Sequence, residues 1–195
     1  MLTPNIHLTD ATTLITGAAG FVGANLTMEL LRSQDNIHLI GYDSVNDYYD
    51  VSLKEWRLRQ IAELAKKTPG SSWTFVRGNL ADKKLLEEVF EQYRPSIVVN
   101  LAAQAGVRYS IANPDAYIEA NLIGFYNILE CCRHYPVKHL VYASSSSVYG
   151  TNAKMPYSTD DKTDHPVSLY AATKKSNELL AHSYSKLYNI PATGL

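Results

Sequence analysis

The stretch Thr13–Gly23, which reads TLITGAAGFVG, decides the fold of this chain. An apolar run ends in three glycines spaced G-x-x-G-x-x-G, and a helical pattern of apolar residues follows at once. Strand, tight turn and helix in this order are typical of a dinucleotide site. Gly17 allows a sharp turn, Gly20 lets the backbone approach a pyrophosphate, and Gly23 lets the helix pack close to the strand. The free amides and the positive dipole end of the helix would then face the phosphates, so we predict cofactor contacts at Gly17, Gly20, Phe21, Val22 and Gly23.

A second apolar run, residues 37–42, ends in Asp43, twenty positions after Gly23. A carboxylate at the end of the second strand suits the two hydroxyls of an adenosine ribose. It would repel a 2′-phosphate, so it favours NAD over NADP as the cofactor. Two alternatives stay open at this point: an ordinary glycine-rich turn without a ligand, and a solvated acid at a strand end.

Composition narrows the class of protein. The chain has 195 residues, 46% of them hydrophobic and 19% charged, which suits one globular domain with a real core. The net charge of -1 gives no reason to expect nucleic acid or a membrane surface as a partner. Residues 1–10 lack the pattern of a signal peptide, and the six histidines are too scattered for a metal site. Cys131 and Cys132 look like packing residues in a reducing compartment, so we expect a cytoplasmic protein without a metal.

Strand and helix patterns alternate along the whole chain. This alternation predicts an α/β fold, a doubly wound parallel sheet of the Rossmann type. The predicted strands lie at residues 13–16, 37–42, 73–77, 97–102 and 140–143, and a sixth begins at 192–195. The predicted helices follow the glycine turn and occupy residues 53–67, 85–93, 113–135 and 168–189, with Asp82, Asn113 and Ser168 as caps. We expect one dinucleotide-binding domain over residues 1–195, with the sheet unfinished at its C-terminal side and no separate substrate domain.

Ligands of such sheets bind beyond the carboxyl ends of the strands. Tyr170 and Lys174 lie four apart at the start of the last helix and share one face. An ammonium group and a nicotinamide ring nearby would lower the pKa of the Tyr170 phenol. The phenolate formed in this way could take a proton from a substrate hydroxyl. A hydroxyl from the serine run 144–147 could hold the same oxygen. With 14 tyrosines in the chain, about one such pair is expected by chance, so the pair gains its meaning from the order of the motifs.

The order of these motifs along the chain is similar to that of a known protein family. The segments TGAAGFVG (16–23), SSSSVYG (144–150) and YAATK (170–174) are similar to those of the extended short-chain dehydrogenase/reductases, in the NAD-dependent epimerase/dehydratase branch that acts on nucleotide sugars. Three further segments look most like the UDP-glucuronate 4-epimerases of that branch: NDYYDVSLK (46–54), QAGVRYS (104–110) and NLIGF (121–125).

The resemblance implies an activity and a set of site residues. The activity is epimerisation at C4 of a UDP-sugar, UDP-glucuronate to UDP-galacturonate, through a 4-keto sugar with bound NAD. Tyr170 would be the base, Lys174 would hold the nicotinamide ribose, and Ser145, with Ser146 as second choice, would be the catalytic hydroxyl and contact the substrate. Arg108 would meet the sugar carboxylate, although an ordinary surface arginine is an equal alternative. The implied cofactor contacts also include Asn46, Asn79, Leu80, Ala102, Ala103, Gln104 and Asn121.

Departures from the family pattern keep other functions open. Asn79 stands where the family usually has an aspartate near the adenine, which implies weaker cofactor binding. Ser146 and Ser147 stand where the dehydratases carry an Asp-Glu pair, which disfavours dehydration. Family chains are longer, so the resemblance implies that most contacts to the nucleotide sugar are missing here. The alternatives are another epimerase, dehydratase, reductase or decarboxylase of nucleotide sugars, and an inactive NAD-binding fragment. The family also implies a homodimer through the helices at 113–135 and 168–189.

Overall fold

Six strands within the described part of the chain form one parallel sheet with the order β3-β2-β1-β4-β5-β6. The structure is a computed structural model that describes residues 6–195. The absence of a signal peptide was predicted from residues 1–10, and residues 1–5 of that segment lie outside the described part. The strands are β1 (Thr12–Thr16), β2 (His38–Asp43), β3 (Ser72–Arg77), β4 (Ile97–Asn100), β5 (His139–Tyr142) and β6 (Ala192–Gly194). The strand order reverses between β1 and β4, which is the point where ligands of doubly wound sheets bind.

Between residues 6 and 195, seven α-helices connect the strands. They are α1 (Phe21–Ser33), α2 (Val51–Ala65), α3 (Lys83–Tyr93), α4 (Tyr109–Ala112), α5 (Pro114–Tyr117), α6 (Gly124–His134) and α7 (Leu169–Tyr188). A π-helical segment, Ile118–Ile123, joins α5 to α6, and a 3₁₀ turn, Ser146–Tyr149, follows β5. None of these helices combines the length and apolar composition that crossing a bilayer requires.

Two hydrophobic cores lie on opposite faces of the sheet because side chains alternate along each strand. Ile15 of β1 packs with apolar residues of α1 and α2. Leu14, its neighbour, packs on the other face with residues of α3, α6 and α7. Cys131 and Cys132 are free thiols inside that second core, which confirms their predicted packing role. The fold is therefore the predicted doubly wound α/β sheet.

The register brings the carboxyl ends of the strands level. Thr16 of β1 lies opposite Tyr42 of β2 and Asn100 of β4, and Asn100 lies opposite Tyr142 of β5. The segments that follow these strands therefore meet at one edge of the sheet, as the sequence predicts. Gly17, which comes directly after Thr16, has a φ of +70°, so the predicted sharp turn is present.

The helix predicted over residues 113–135 is wrong in two respects. Its middle is π-helical rather than α-helical, and the Asn113 side chain makes no capping hydrogen bond. Pro114 does occupy the start of α5, where its missing N–H costs nothing. The short helix α4 just before it was not predicted. The Ser168 and Asp82 caps are confirmed, because these side chains accept hydrogen bonds from the amides of Ala171 and Leu85.

The buried face of α2 departs from the apolar pattern of its sequence. Leu53 and Trp56 are largely exposed, whereas Lys54 is buried together with Ile61. The lysine side chain turns inward because its ammonium group finds oxygen acceptors in the loop after β2, described below. A periodicity that counts only apolar residues cannot find a lysine in that position.

Candidate dinucleotide site

A groove of about 230 Å³ runs along the carboxyl edge of the sheet. Most of the predicted cofactor residues line it: Gly17, Gly20, Asp43, Asn46, Asn79, Leu80, Ala102, Ala103 and Gln104. These residues lie at the ends of four strands, β1 to β4, so the level strand ends bring them together. Phe21 and Val22 are exposed at the start of α1 and do not line the groove.

The glycine turn is held from two sides. Asp43 accepts a hydrogen bond from the Ala19 amide at 3.0 Å and another from the Val45 amide at 2.7 Å. The Arg57 guanidinium donates to the Ala19 carbonyl at 3.3 Å. Since ionised carboxylate oxygens can each accept more than one hydrogen bond, Asp43 can hold the turn and still meet a ribose hydroxyl.

Helix α1 begins beside the groove, because Gly20, the residue before it, lines the groove. Gly20 is the residue before the helix and supplies no capping hydrogen bond. A Cβ on Gly23 would stand 2.2 Å from the Gly17 carbonyl oxygen, so only glycine allows the helix to start this close to the strand. Uncapped amides at the positive end of a helix dipole form a site for a phosphate group.

Lys54 is a residue of this groove that the sequence analysis did not find. It is only 4% exposed, and its ammonium group donates to the Asn46 backbone carbonyl and to the Asn46 side-chain oxygen, both at 2.7 Å. Burial lowers the pKa of Lys54. The predicted cofactor residue Asn46 therefore has its side-chain oxygen fixed by Lys54, and the loop after β2 is tied to α2.

The loop after β4 is clamped by Asn121 of the π-helical segment. Asn121 accepts a hydrogen bond from the Gln104 amide at 2.8 Å and donates to the Gln104 carbonyl at 3.0 Å. It also donates to the Thr173 hydroxyl of α7 at 3.0 Å, and its own carbonyl accepts from the Asn177 side chain at 2.7 Å. Asn121 is 1% exposed and does not line the groove. The structure thus places this predicted cofactor residue behind the loop, where it joins the loop to α7.

Gln104 carries an unused hydrogen-bond donor. Its side-chain nitrogen is buried and has no partner among residues 6–195, although the residue lines the groove. A buried amide donor without a protein partner is costly, so a ligand in the groove would gain a hydrogen bond by accepting from it. Together with the glycine turn and Asp43, this donor makes the groove chemically suited to a dinucleotide.

Tyr170 and Lys174 lie beside the groove, and neither residue lines it. Lys174 is 4% exposed and donates to the Ala143 carbonyl at the end of β5, at 2.9 Å. Burial lowers the pKa of Lys174 to about 8. The Tyr170 ring meets the Tyr117 ring edge-on at 6.0 Å between centroids, and the Tyr117 hydroxyl donates to the Ala105 carbonyl at 2.8 Å. Tyr170 is thus connected to the loop after β4 through Tyr117.

The predicted serines line a second cavity. Ser145 accepts hydrogen bonds from the Ser147 amide at 3.2 Å and from the Ser147 hydroxyl at 2.9 Å. Ser145 and Ser146 border a cavity of about 840 Å³ that is also bordered by α7 and β6. Neither serine hydroxyl forms a hydrogen bond with Tyr170. Arg108 is exposed before α4 and lies outside the lining of both cavities.

Comparison with known proteins identifies relatives over nearly the whole chain. A family model described as GDP-mannose 4,6 dehydratase matches residues 14–195. Protein CapI of Staphylococcus aureus is 56% identical over 93% of this chain and 52% of its own length. UDP-glucuronate 4-epimerase 4 of Arabidopsis thaliana is 48% identical over 94% of this chain and 40% of its own length.

A solved structure has the same fold. The UDP-glucuronic acid 4-epimerase of Bacillus cereus, described as a complex with UDP-glucuronic acid and NAD, is 30% identical and superimposes with a TM-score of 0.81. The match covers 94% of this chain and 55% of that chain. The chain therefore spans about half the length of the proteins it resembles.

The depressed pKa of Lys174 predicts a pH dependence of stability. Lys174 has its ordinary pKa of 10.5 in the unfolded chain and a pKa of about 8 in the folded chain. Between these values the unfolded state binds more protons, so stability rises with pH. We expect the free energy of unfolding of the wild type, minus that of Lys174→Met, to rise by about 2 kcal/mol from pH 7 to pH 9.5. Urea unfolding at both pH values measures it, and a difference that stays constant with pH would contradict the assignment.

Proposed function

The chain belongs to the GDP-mannose 4,6-dehydratase family, and from that premise we propose that it is the dinucleotide-binding part of an NAD-dependent nucleotide-sugar 4-epimerase. The main support for this proposal is that the candidate cofactor groups and the candidate catalytic pair lie at the same edge of the sheet. There the glycine turn, Asp43 and the unpartnered Gln104 amide form a groove, and Tyr170 with Lys174 lies beside it. The arrangement suits a reaction in which a bound cofactor and a protein base act on one carbon.

The preference for NAD over NADP is supported by the acid at the end of β2. Asp43 lines the groove next to the glycine turn, where the adenosine ribose of a dinucleotide lies in this type of fold. A carboxylate there accepts hydrogen bonds from ribose hydroxyls and repels a phosphate at the 2′ position. NAD supplies a reversible hydride acceptor when it is bound.

The protein residues have separable roles in the proposed reaction. The Tyr170 phenolate would take the proton from the C4 hydroxyl of the sugar, while bound NAD would supply the acceptor for the C4 hydride. The resulting phenol would return the proton after the 4-keto sugar has rotated in the site. Lys174 lies four residues after Tyr170 on α7, and its ammonium group donates a hydrogen bond to the Ala143 carbonyl. A positive charge in this position favours the phenolate form of Tyr170. Ser145 and Ser146 border the second cavity together with residues of α7, and we assign them to substrate contacts.

We propose UDP-glucuronate as the substrate and UDP-galacturonate as the product. Support comes from the relatives that carry this activity in their names, from Arabidopsis thaliana and Bacillus cereus. Arg108 is our candidate for the sugar carboxylate, because it is exposed and offers a planar cation that carboxylates bind in two-point fashion. The description of the family model names a dehydratase, whereas the solved structure with the same fold is named as an epimerase. The absence of acids at Ser146 and Ser147 favours epimerisation over dehydration.

We also propose that the chain forms a homodimer through α6 and α7. Exposed apolar side chains mark both helices: Ile123 precedes α6, Tyr126 lies on it, and Leu179 and Leu187 lie on α7. An apolar groove between them is lined by Leu122, Ile123, Tyr126, Ser176, Leu179 and Leu180.

Sedimentation equilibrium tests the dimer. We expect a two-chain mass that Leu179→Glu converts to a one-chain mass, since a charge in an apolar interface is costly. Glu91→Gln, on the exposed side of α3, serves as a control that should leave the mass unchanged. A one-chain mass for the wild type at micromolar concentration would contradict the dimer.

An anomeric-proton NMR time course tests the reaction. Purified chain, NAD and UDP-glucuronate should give a growing UDP-galacturonate signal, and Tyr170→Phe should slow it by about a hundredfold or more because the base is lost. A signal that Tyr170→Phe does not change would contradict the role of Tyr170. If the folded wild type gives no signal but binds NAD, the chain is a cofactor-binding fragment, and catalysis by this chain is excluded.

A further inference from the structure

Two side chains that line the groove, Asn79 and Glu119, are joined by a hydrogen bond at the side of the groove that follows β3. Asn79 follows β3 and Glu119 lies in the π-helical segment, forty positions apart, and both line the groove. The strand order places β3 and β2 on one side of the glycine turn and β5 on the other. The inference rests on the proposed function, in which Asp43 at the end of β2 marks the adenosine half of a bound dinucleotide.

Asn79 is fixed at three atoms. Its backbone carbonyl accepts a hydrogen bond from the Tyr42 hydroxyl at 3.0 Å, and its side-chain oxygen accepts one from the Ala81 amide at 3.0 Å. Its side-chain nitrogen donates to a Glu119 carboxylate oxygen at 2.8 Å. The side-chain oxygen of Asn79 is therefore already engaged, and one hydrogen remains on its nitrogen.

Glu119 offers the acceptor that Asn79 does not. Its carboxylate takes the one hydrogen bond from Asn79 and makes no other among residues 6–195, so most of its acceptor capacity is unused. Ala116 and Ala120 line the groove on the same side. Their side chains are single methyl groups, which leave space for a flat ring beside the carboxylate.

The pair presents a donor next to an acceptor. Adenine presents the complementary pair on one edge: the ring nitrogen N1 accepts, and the exocyclic amino group donates. We propose that Glu119, oriented by Asn79, accepts the hydrogen bond from the amino group of a purine bound at this side of the groove. Glu119 thereby selects a 6-amino purine over a 6-oxo purine, since an oxo group would place a second acceptor against the carboxylate.

Calorimetry with two dinucleotides tests this selection. The titrants are NAD and nicotinamide hypoxanthine dinucleotide, in which an oxo group replaces the amino group, and the protein is the whole 195-residue chain. We expect the wild type to bind NAD about tenfold more tightly or better, the scale of one hydrogen bond to a charged group. Glu119→Ala should bring the ratio of the two dissociation constants close to one.

Glu119→Gln gives the sharper result. The glutamine oxygen can keep the hydrogen bond from Asn79, while its amide nitrogen can donate to an oxo group. The dissociation constant for the hypoxanthine dinucleotide, divided by the one for NAD, should therefore be smaller in Glu119→Gln than in Glu119→Ala. This change is a shift toward a preference for the hypoxanthine dinucleotide. Asp115→Asn removes an exposed acid of α5 outside the groove and is the matched control, with the wild-type ratio expected. Circular dichroism melts establish that each variant is folded.

The outcomes separate the inference from the proposed function. If the wild type binds NAD and the two Glu119 variants retain its preference, the role of Glu119 is overturned while the cofactor assignment stands. If the wild type binds both dinucleotides equally, the role of Glu119 is likewise overturned. If the folded wild type binds neither dinucleotide, the proposed function fails and the inference fails with it.

Discussion

The contact on which the structure depends is the approach of α1 to the end of β1. A Cβ on Gly23 would lie 2.2 Å from the Gly17 carbonyl oxygen, and one on Gly17 would lie 2.8 Å from the Ala102 amide nitrogen. No side chain fits at either position, so the turn draws strand, helix and the loop after β4 together. Helix α1 then begins beside the groove without a side-chain cap, and Asp43 holds the turn from the neighbouring strand.

A chain of buried amides joins the two halves of the site. Asn121 holds both backbone groups of Gln104 and also reaches Thr173, while Asn177 holds the Asn121 carbonyl. Each bond contributes about 1 kcal/mol, but a partner left unpaired in the core costs more. Because Thr173 and Asn177 lie on α7 with Lys174, the groove and the proposed catalytic helix are positioned by the same contacts.

Local patterns predicted most of the fold, and long-range pairing explains what they missed. The strands, the glycine turn and the Ser168 cap depend on neighbours within a few residues, so the sequence reveals them. Lys54 was missed because a lysine on a helix usually faces solvent, and only the folded loop after β2 supplies its acceptors. The π-helical segment was missed because a helical pattern of apolar residues does not distinguish a π-helix from an α-helix. The comparisons confirm the predicted family, while the roles of Tyr170, Lys174 and the serines stay predictions.

The central claim is that this edge of the sheet binds NAD in one direction. A crystal structure of the chain grown with NAD is the most direct measurement. In that structure we expect the pyrophosphate to lie at the first amides of α1 and the adenosine ribose to lie at Asp43. We expect the nicotinamide to lie on the side of Tyr170. NAD in the opposite direction, or outside the groove, would contradict it.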